Sequence, residues 1–483
     1  MSDDLPPRDR RQLYERIARG GKEEAILDEM VRLGFWSGDK PPAHDPPDEV
    51  RRRGELRARL DGLRQSAAKL RDLAQLEIEL KKQRMAESRR RREETKQRRL
   101  GERAAARAET QEKKTRELTY LGARVSAGLG PAPGRREGNA ARLGAQRLPV
   151  LHTAAELAAA IGVSLGELRF LAFAREVSTT THYRRFTIPK RAGGERVISA
   201  PMRRLKRVQR WILDHLLEAV ALAEPAHGFR TGRSIVSNAA PHAGSAIVVN
   251  VDLRDFFPTV TYRRVKGLFG KLGYSEEVAT VLALLCTEPE IAETTLDGIT
   301  YYVARGERRL PQGAPTSPAI TNALCRRLDR RIAGWAARHG FLYTRYADDL
   351  TLSTKHGDAR VGSCLAFLRR VTAAEGFQVH PDKVRVVRRG RRQEVTGIVV
   401  NERPAVPRVE LRKFRALLHH LEKDGPAGKT WGTAGGTGSA GAGGGTDVLA
   451  AALGFASFVA MVDPAKGEPL RARVLALRAK HRP

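Results

Sequence analysis

The sequence predicts an α+β protein in which a mixed sheet-and-helix body follows a long, basic helical extension. Residues 148–424 carry globular mixed α/β patterning, whereas residues 51–117 run as a nearly unbroken helical pattern without Pro. A third observation concerns charge: 87 Lys+Arg against 55 Asp+Glu give a formal +32 over 483 residues. An excess of that size suits phosphate-rich partners and disfavours an ordinary protein with a merely basic surface.

Taken in order, residues 1–125 read as a basic helical or coiled-coil extension. Leu56, Leu60, Leu63, Ala67, Leu70 and Ala74 repeat at alternating steps of four and three, the spacing of a short coiled-coil seam. From Lys81 to Glu117 the chain is mostly Arg, Lys, Glu, Gln and Ala, so it reads either as a solvated helix or as an RNA-binding arm. Residues 126–147, rich in Gly, Pro, Ala and Arg, read as a linker. Residues 148–400 form the body, and 401–483 a small helical region interrupted by a Gly-rich insertion over 425–447. Cys286, Cys325 and Cys364 lie far apart without metal-site spacing, so reduced buried thiols are expected. The sequence MSDDLPPRDRR lacks a signal-peptide core, and Leu449 to Val462 is too short to span a bilayer; a cytoplasmic protein without membrane partners is expected.

The chemistry is carried by carboxylates. AIVVNV, residues 246–251, is a buried-strand run that ends at Asp252. Nearly a hundred residues later, YTRYADDLTLS places Asp348 and Asp349 between apolar flanks, as at the tip of a hairpin. One Asp at a strand end is ordinarily a turn or cap residue. Two such sites in a strongly basic chain instead suit phosphoryl transfer, where two Mg²⁺ ions about 4 Å apart activate a hydroxyl and stabilise leaving pyrophosphate. Asp252 and Asp348 are the expected bridging ligands and Asp349 the outer one.

Tyr346-Ala347-Asp348-Asp349 resembles the YxDD box of reverse transcriptases, and VDLRDFF resembles the other metal-binding motif of the same palm. LPQGAPTSP, residues 310–318, is similar to the motif beneath the templating base. There Ser317 is expected to cap a helix begun by Pro318, with Ile320, Leu324, Leu328 and Ile332 as its buried stripe. Asn238-Ala239-Ala240-Pro241-His242 fits an NAxxH pattern and Val395-Thr396-Gly397 a VTG pattern, both associated with retron reverse transcriptases. The order of these boxes is more specific than any one of them, and the resemblance covers about residues 165–480.

The resemblance implies a right-hand polymerase: fingers about 165–245, a palm with an antiparallel sheet about 246–400, and a helical thumb after 401. It implies that Asp252, Asp348 and Asp349 are catalytic, with two Mg²⁺ ions as cofactors and Mn²⁺ able to substitute. FTIPKRAGGERVI reads as a hairpin on which Lys190 and Arg196 would grip the triphosphate of a dNTP. Phe257 would exclude a ribose 2′-hydroxyl, Gln312 would touch nucleotide and template, and Lys383 could protonate pyrophosphate. Arg230, Arg233, Asn238, His242, Thr396 and Gly397 would contact nucleic acid, with His227 equally suited to a structural hydrogen bond. The implied partners are a cognate structured noncoding RNA, its branched DNA product (msDNA), a host RNase H, and an effector protein in anti-phage defence. A group II intron-like enzyme is the nearest rival, with little room here for a maturase region. A noncatalytic RNA-binding scaffold would explain the charge but not three acids all in place.

Overall fold

The structure, a computed structural model, describes residues 10–35, 47–71, 73–116, 118, 120–122, 125, 137–189, 193–431 and 447–481. The chain divides into two compact units, Met1–Glu109 and Thr110–Pro483. In the first, helices Arg10–Gly20 and Lys22–Arg32 pack on each other and on the start of Pro47–Arg71. Asp28 ties them together by accepting from Arg16 at 2.9 Å and from Arg51 at 3.1 Å. Leu56, Leu60 and Leu63 of the expected seam are exposed, and the side chains of Leu70 and Ala74 lie outside the described ones. The 44-residue helix Leu73–Arg116 is built from strong helix formers. Pairs such as Arg91–Glu87 and Arg90–Glu94 add only a few tenths of a kcal/mol each.

The unit boundary falls earlier than residue 125. Leu118 and Leu121 are buried in the core of the second unit, and Gly122 bridges to Ala174. Within the stretch read as linker, Asn139 caps the short helix Ala140–Ala145, whose Leu143 is buried. Isolated leucines at such spacing show no period, which is why composition alone made them look like connecting chain.

The second unit is organised around an antiparallel sheet in the order Arg385–Arg388, Ile247–Arg254, Asp349–Thr354, Leu342–Tyr346. Side chains alternate across it. Ile247, Val249, Val251 and Leu253, with Leu350, Leu352 and Tyr343, enter the main core beside the helices Tyr262–Leu272, Glu276–Cys286 and Arg326–Arg338. The opposite face is more polar: Asn250, Asp252, Asp349, Thr351, Ser353 and Thr344 share it by register. Helices Arg408–Asp424, Val448–Val462 and Pro464–Lys480 build a second core, which also takes in Val248, Ala239, Val395 and Ile398. The strands Tyr183–Pro189 and Glu195–Pro201 form the expected hairpin, with Gly193 and Gly194 both at positive φ in its turn.

One local expectation is corrected. The helix starts at Thr316 and breaks at Cys325, and Ser317 lies inside it rather than capping it. Its hydroxyl instead donates to Pro311 O at 2.7 Å, which closes the preceding loop. Ile320, Leu328 and Ile332 are buried as expected, Leu324 partly so.

Candidate active site

Register assembles the carboxylates. Asp252 pairs with Asp349 across the ladder, so both side chains leave the same face, and Asp348 occupies the two-residue turn between Tyr346 and Asp349. Leu253 N donates to Asp348 O at 3.0 Å, fixing the turn against the central strand. Both oxygens of Asp252 accept from Lys383 Nζ, at 3.0 and 2.9 Å. Desolvation first, then Asp252, pushes the Asp348 pKa up, against the pull of Lys383 and Arg196. Asp349 is pushed up to about 7 by desolvation and then by Asp348 and Asp252. Asp349 keeps solvent access, and the like charges of Asp348 and Asp252 repel its ionised form.

A buried network holds the turn from the other side. Ala347 sits at φ 56, a costly conformation for a residue with a Cβ. Arg345 Nη1 donates to Ala347 O at 3.0 Å and to Asn322 Oδ1 at 2.8 Å, while its Nε and Nη2 grip Asp329 at 2.8 Å each. Arg345 and Asp329 are fully buried, and Tyr343 donates to the same carboxylate at 2.8 Å. Asn322 reaches on to Gly228 O at 2.8 Å. A Cβ on Gly228 would stand 2.6 Å from Ala347 N, so glycine is required for this close approach. Sequence reasoning passed over Arg345, Asp329, Asn322 and Gly228. The one available signal was a charged residue, Arg345, inside the short strand Leu342–Tyr346.

The remaining expected residues separate into those near the carboxylates and those elsewhere. Arg196 acts electrostatically on Asp348. Gln312 O accepts from Ser199 N at 2.8 Å, joining the hairpin to the loop before Thr316. Phe257 is half-buried against the buried Phe256, which packs in turn on Phe377. Lys190 lies outside the described residues. Arg230 donates to Ala223 O at 3.2 Å, and Arg233 pairs with Glu224, so both brace their own loop. His227 takes the structural option, with Nδ1 2.9 Å from Ser237 Oγ.

The direct nucleic-acid contacts expected of Asn238 and His242 are corrected by their burial, 0 % exposed in each case. His242 Nε2 lies 2.8 Å from Thr344 Oγ1 and its Nδ1 2.7 Å from Ser353 Oγ, bridging two strands on the polar face. Thr344 gives its hydroxyl proton to Asn238 O at 3.3 Å, so it receives from Nε2–H, and Nδ1 accepts from Ser353. Burial, then His227, lowers the His242 pKa to about 4, keeping the ring neutral. Asn238 Nδ2 reaches Thr396 Oγ1 at 3.5 Å. The two tags therefore meet as an internal brace between sheet and helical core. Thr396 and Gly397 form a left-handed turn, φ 47 and 82, with Gly397 exposed.

The donor set is all hard oxygen, as a divalent ion requires, with Lys383 the cation in direct contact with it. Among the described residues, no three His, Cys, Asp or Glu groups are already gathered into a metal cluster. Lys383 Nζ pairs with Asp252 at 2.9 Å. No helix among the described residues is long and apolar enough to cross a membrane.

Residues 188–415 match the family of reverse transcriptases (RNA-dependent DNA polymerases). The chain is 44% identical to the retron Mx162 reverse transcriptase of Myxococcus xanthus, over 76% of each chain. It is 48% identical to the retron Mx65 reverse transcriptase of the same organism, over 58% of this chain and 65% of that one. With the retron Ec86 reverse transcriptase of Escherichia coli it shares 33% identity, over 59% of this chain and 82% of that one. The chain belongs to the retron reverse transcriptases, a family of RNA-directed DNA polymerases with the right-hand fold.

Proposed function

We propose that Asp252, Asp348 and Asp349 hold divalent cations for nucleotidyl transfer, Mg²⁺ naturally and Mn²⁺ as a substitute. The observation that carries this reading is the register, which sets Asp252 opposite Asp349 with Asp348 in the adjoining turn. Such ions, when bound, supply Lewis-acid stabilisation of the attacking hydroxyl and leaving pyrophosphate. The chain's own residues do the rest. Lys383, within reach of Asp252, is the candidate proton donor to pyrophosphate, and Arg196 the candidate grip on the incoming triphosphate. Phe257 presents a half-buried ring as the sugar gate, and Gln312 sits on the loop that faces the hairpin.

The natural template in this reading is a structured noncoding RNA, copied into branched, RNA-linked DNA from a 2′-hydroxyl primer. A host RNase H, an effector protein and anti-phage defence complete it. These parts rest on family membership. Replacing Asp252 or Asp348 with Asn should lower primer extension by roughly 10³-fold or more while RNA binding persists, because the ligands go but the basic surface stays. Near-normal extension by either variant overturns the assignment.

A further inference from the structure

A second charged feature shares no residue with the carboxylate site. Helices Tyr262–Leu272 and Arg326–Arg338 wall a groove of about 880 Å³ on the helical side of the sheet. Arg263 and Lys271 stand on one wall and Arg326 and Arg330 on the other, all exposed. The acids at its edge are already engaged. Glu375 accepts from Arg327 at 3.1 Å and Arg331 at 2.7 Å, and Glu224 pairs with Arg233. Among the described residues none of the four groove cations has an acidic partner. Gly267 lies between Arg263 and Lys271 in sequence and lines the groove, with nothing within 4 Å of where its Cβ would stand.

Folding does not require four unpaired cations to line one concavity; solvated singly they would be unremarkable. Along each helix they are spaced by whole turns, about 6 Å for Arg326 to Arg330 and about 12 Å for Arg263 to Lys271 at 1.5 Å rise per residue. A row of phosphates supplies negative charge at comparable intervals, and arginine's fork suits phosphate oxygens.

We propose that this groove binds the sugar-phosphate backbone of a folded RNA stem, away from the site of synthesis. The inference rests on the polymerase reading above and adds a second anchoring surface for the RNA partner. It reads shape and charge rather than sequence, as expected for contacts to A-form backbone. An acidic protein segment is the competing occupant.

The test uses the full chain. Arg326→Glu/Arg330→Glu reverses one wall, and Gly267→Glu puts an acid into open space at a helical position where glycine is the weaker former. Binding of a fluorescent RNA hairpin is followed against salt, with extension of a DNA primer on an unstructured RNA template as the control. The proposal expects hairpin affinity to fall at least tenfold in both variants. The salt slope of the double variant should drop by about 1–2, since each phosphate contact contributes about 0.7–0.9. Control extension should stay within twofold of the unmodified chain. Unchanged hairpin affinity and slope in both variants, with normal extension, overturn the groove but spare the polymerase reading. Should the unmodified chain fail to extend the primer, that reading fails instead. Unchanged RNA binding together with loss of a co-purifying acidic protein would likewise overturn the RNA assignment.

Discussion

The hairpin Leu342–Thr354 carries two charge clusters that differ in one respect: whether their charges are balanced. On the turn and the polar face, Asp252, Asp348 and Asp349 stand together with Lys383 as the cation in hydrogen-bond contact. On the buried side, Arg345, Asp329, Asn322 and Tyr343 satisfy one another through bonds of 2.8 Å. The open cluster has raised carboxyl pKa values; the closed one has a geometrically complete ion pair. An excess of negative charge is repulsive and would open the turn unless something rigid held it. The closed network does this directly, through the Arg345 bond to Ala347 O. Imbalance at the candidate site is tolerated because balance is complete one residue layer beneath it.

Breaking the closed cluster should have the largest effect. Asp329→Asn leaves Arg345 as a buried cation without its carboxylate, which costs about 3–5 kcal/mol of stability. Tyr343→Phe removes a single hydrogen bond to the same charged carboxylate and should cost about 1.5–3 kcal/mol. Chemical denaturation of both variants, with extension assayed well below each midpoint, separates folding from positioning. If Asp329→Asn proves no less stable than Tyr343→Phe, the network is not what holds the turn.

The same contrast recurs in the Phe256–Phe257 pair, where one ring is buried and its neighbour half-buried. Phe256→Ala should act on stability, since it opens a cavity against Phe377. Phe257→Ala should act on selectivity, raising ribonucleotide use relative to dNTP use by about 1–3 kcal/mol of discrimination, roughly 10–200-fold. Competition between rNTPs and dNTPs measures it. An unchanged ratio for Phe257→Ala with altered selectivity for Phe256→Ala would exchange their roles.

What could be read beforehand follows the range of the physics involved. Asp252 ends an apolar run and Asp348-Asp349 interrupts another, so short apolar runs broken by acids exposed the strands and their carboxylates. The hairpin around Gly193 was legible for the same local reason. Asn238, His242 and Thr396 were visible as patterns, yet their burial was not. Whether a His faces solvent or bridges Thr344 and Ser353 depends on strand pairings about a hundred residues away. Gly228 against Ala347 is another such long-range contact, as is the arrival of Leu118 and Leu121 in the main core. Sequence order alone gives none of these distances.

The smallest expected effect tests the imbalance itself, through protons. In the folded chain desolvation and the neighbouring Asp348 and Asp252 push the Asp349 carboxyl up to about 7, above the ordinary carboxylate range, so it is more protonated there than in the unfolded chain. Between that ordinary range and pH 7 the native state binds more protons, and stability therefore falls as pH rises through the window. A divalent cation reverses the sign of this effect. It needs the ionised carboxyl, and binding must expel the proton below pH 7. Apparent Mg²⁺ affinity should weaken by up to about tenfold per pH unit as pH falls below 7, if one proton is displaced. Thermal shifts on adding Mg²⁺ at several pH values measure this without relying on turnover. The shift should be larger at pH 8 than at pH 5.5, and Asp349→Asn should flatten the dependence. Equal pH dependence in that variant and the unmodified chain would mean that Asp349 neither carries the excess charge nor meets the ion.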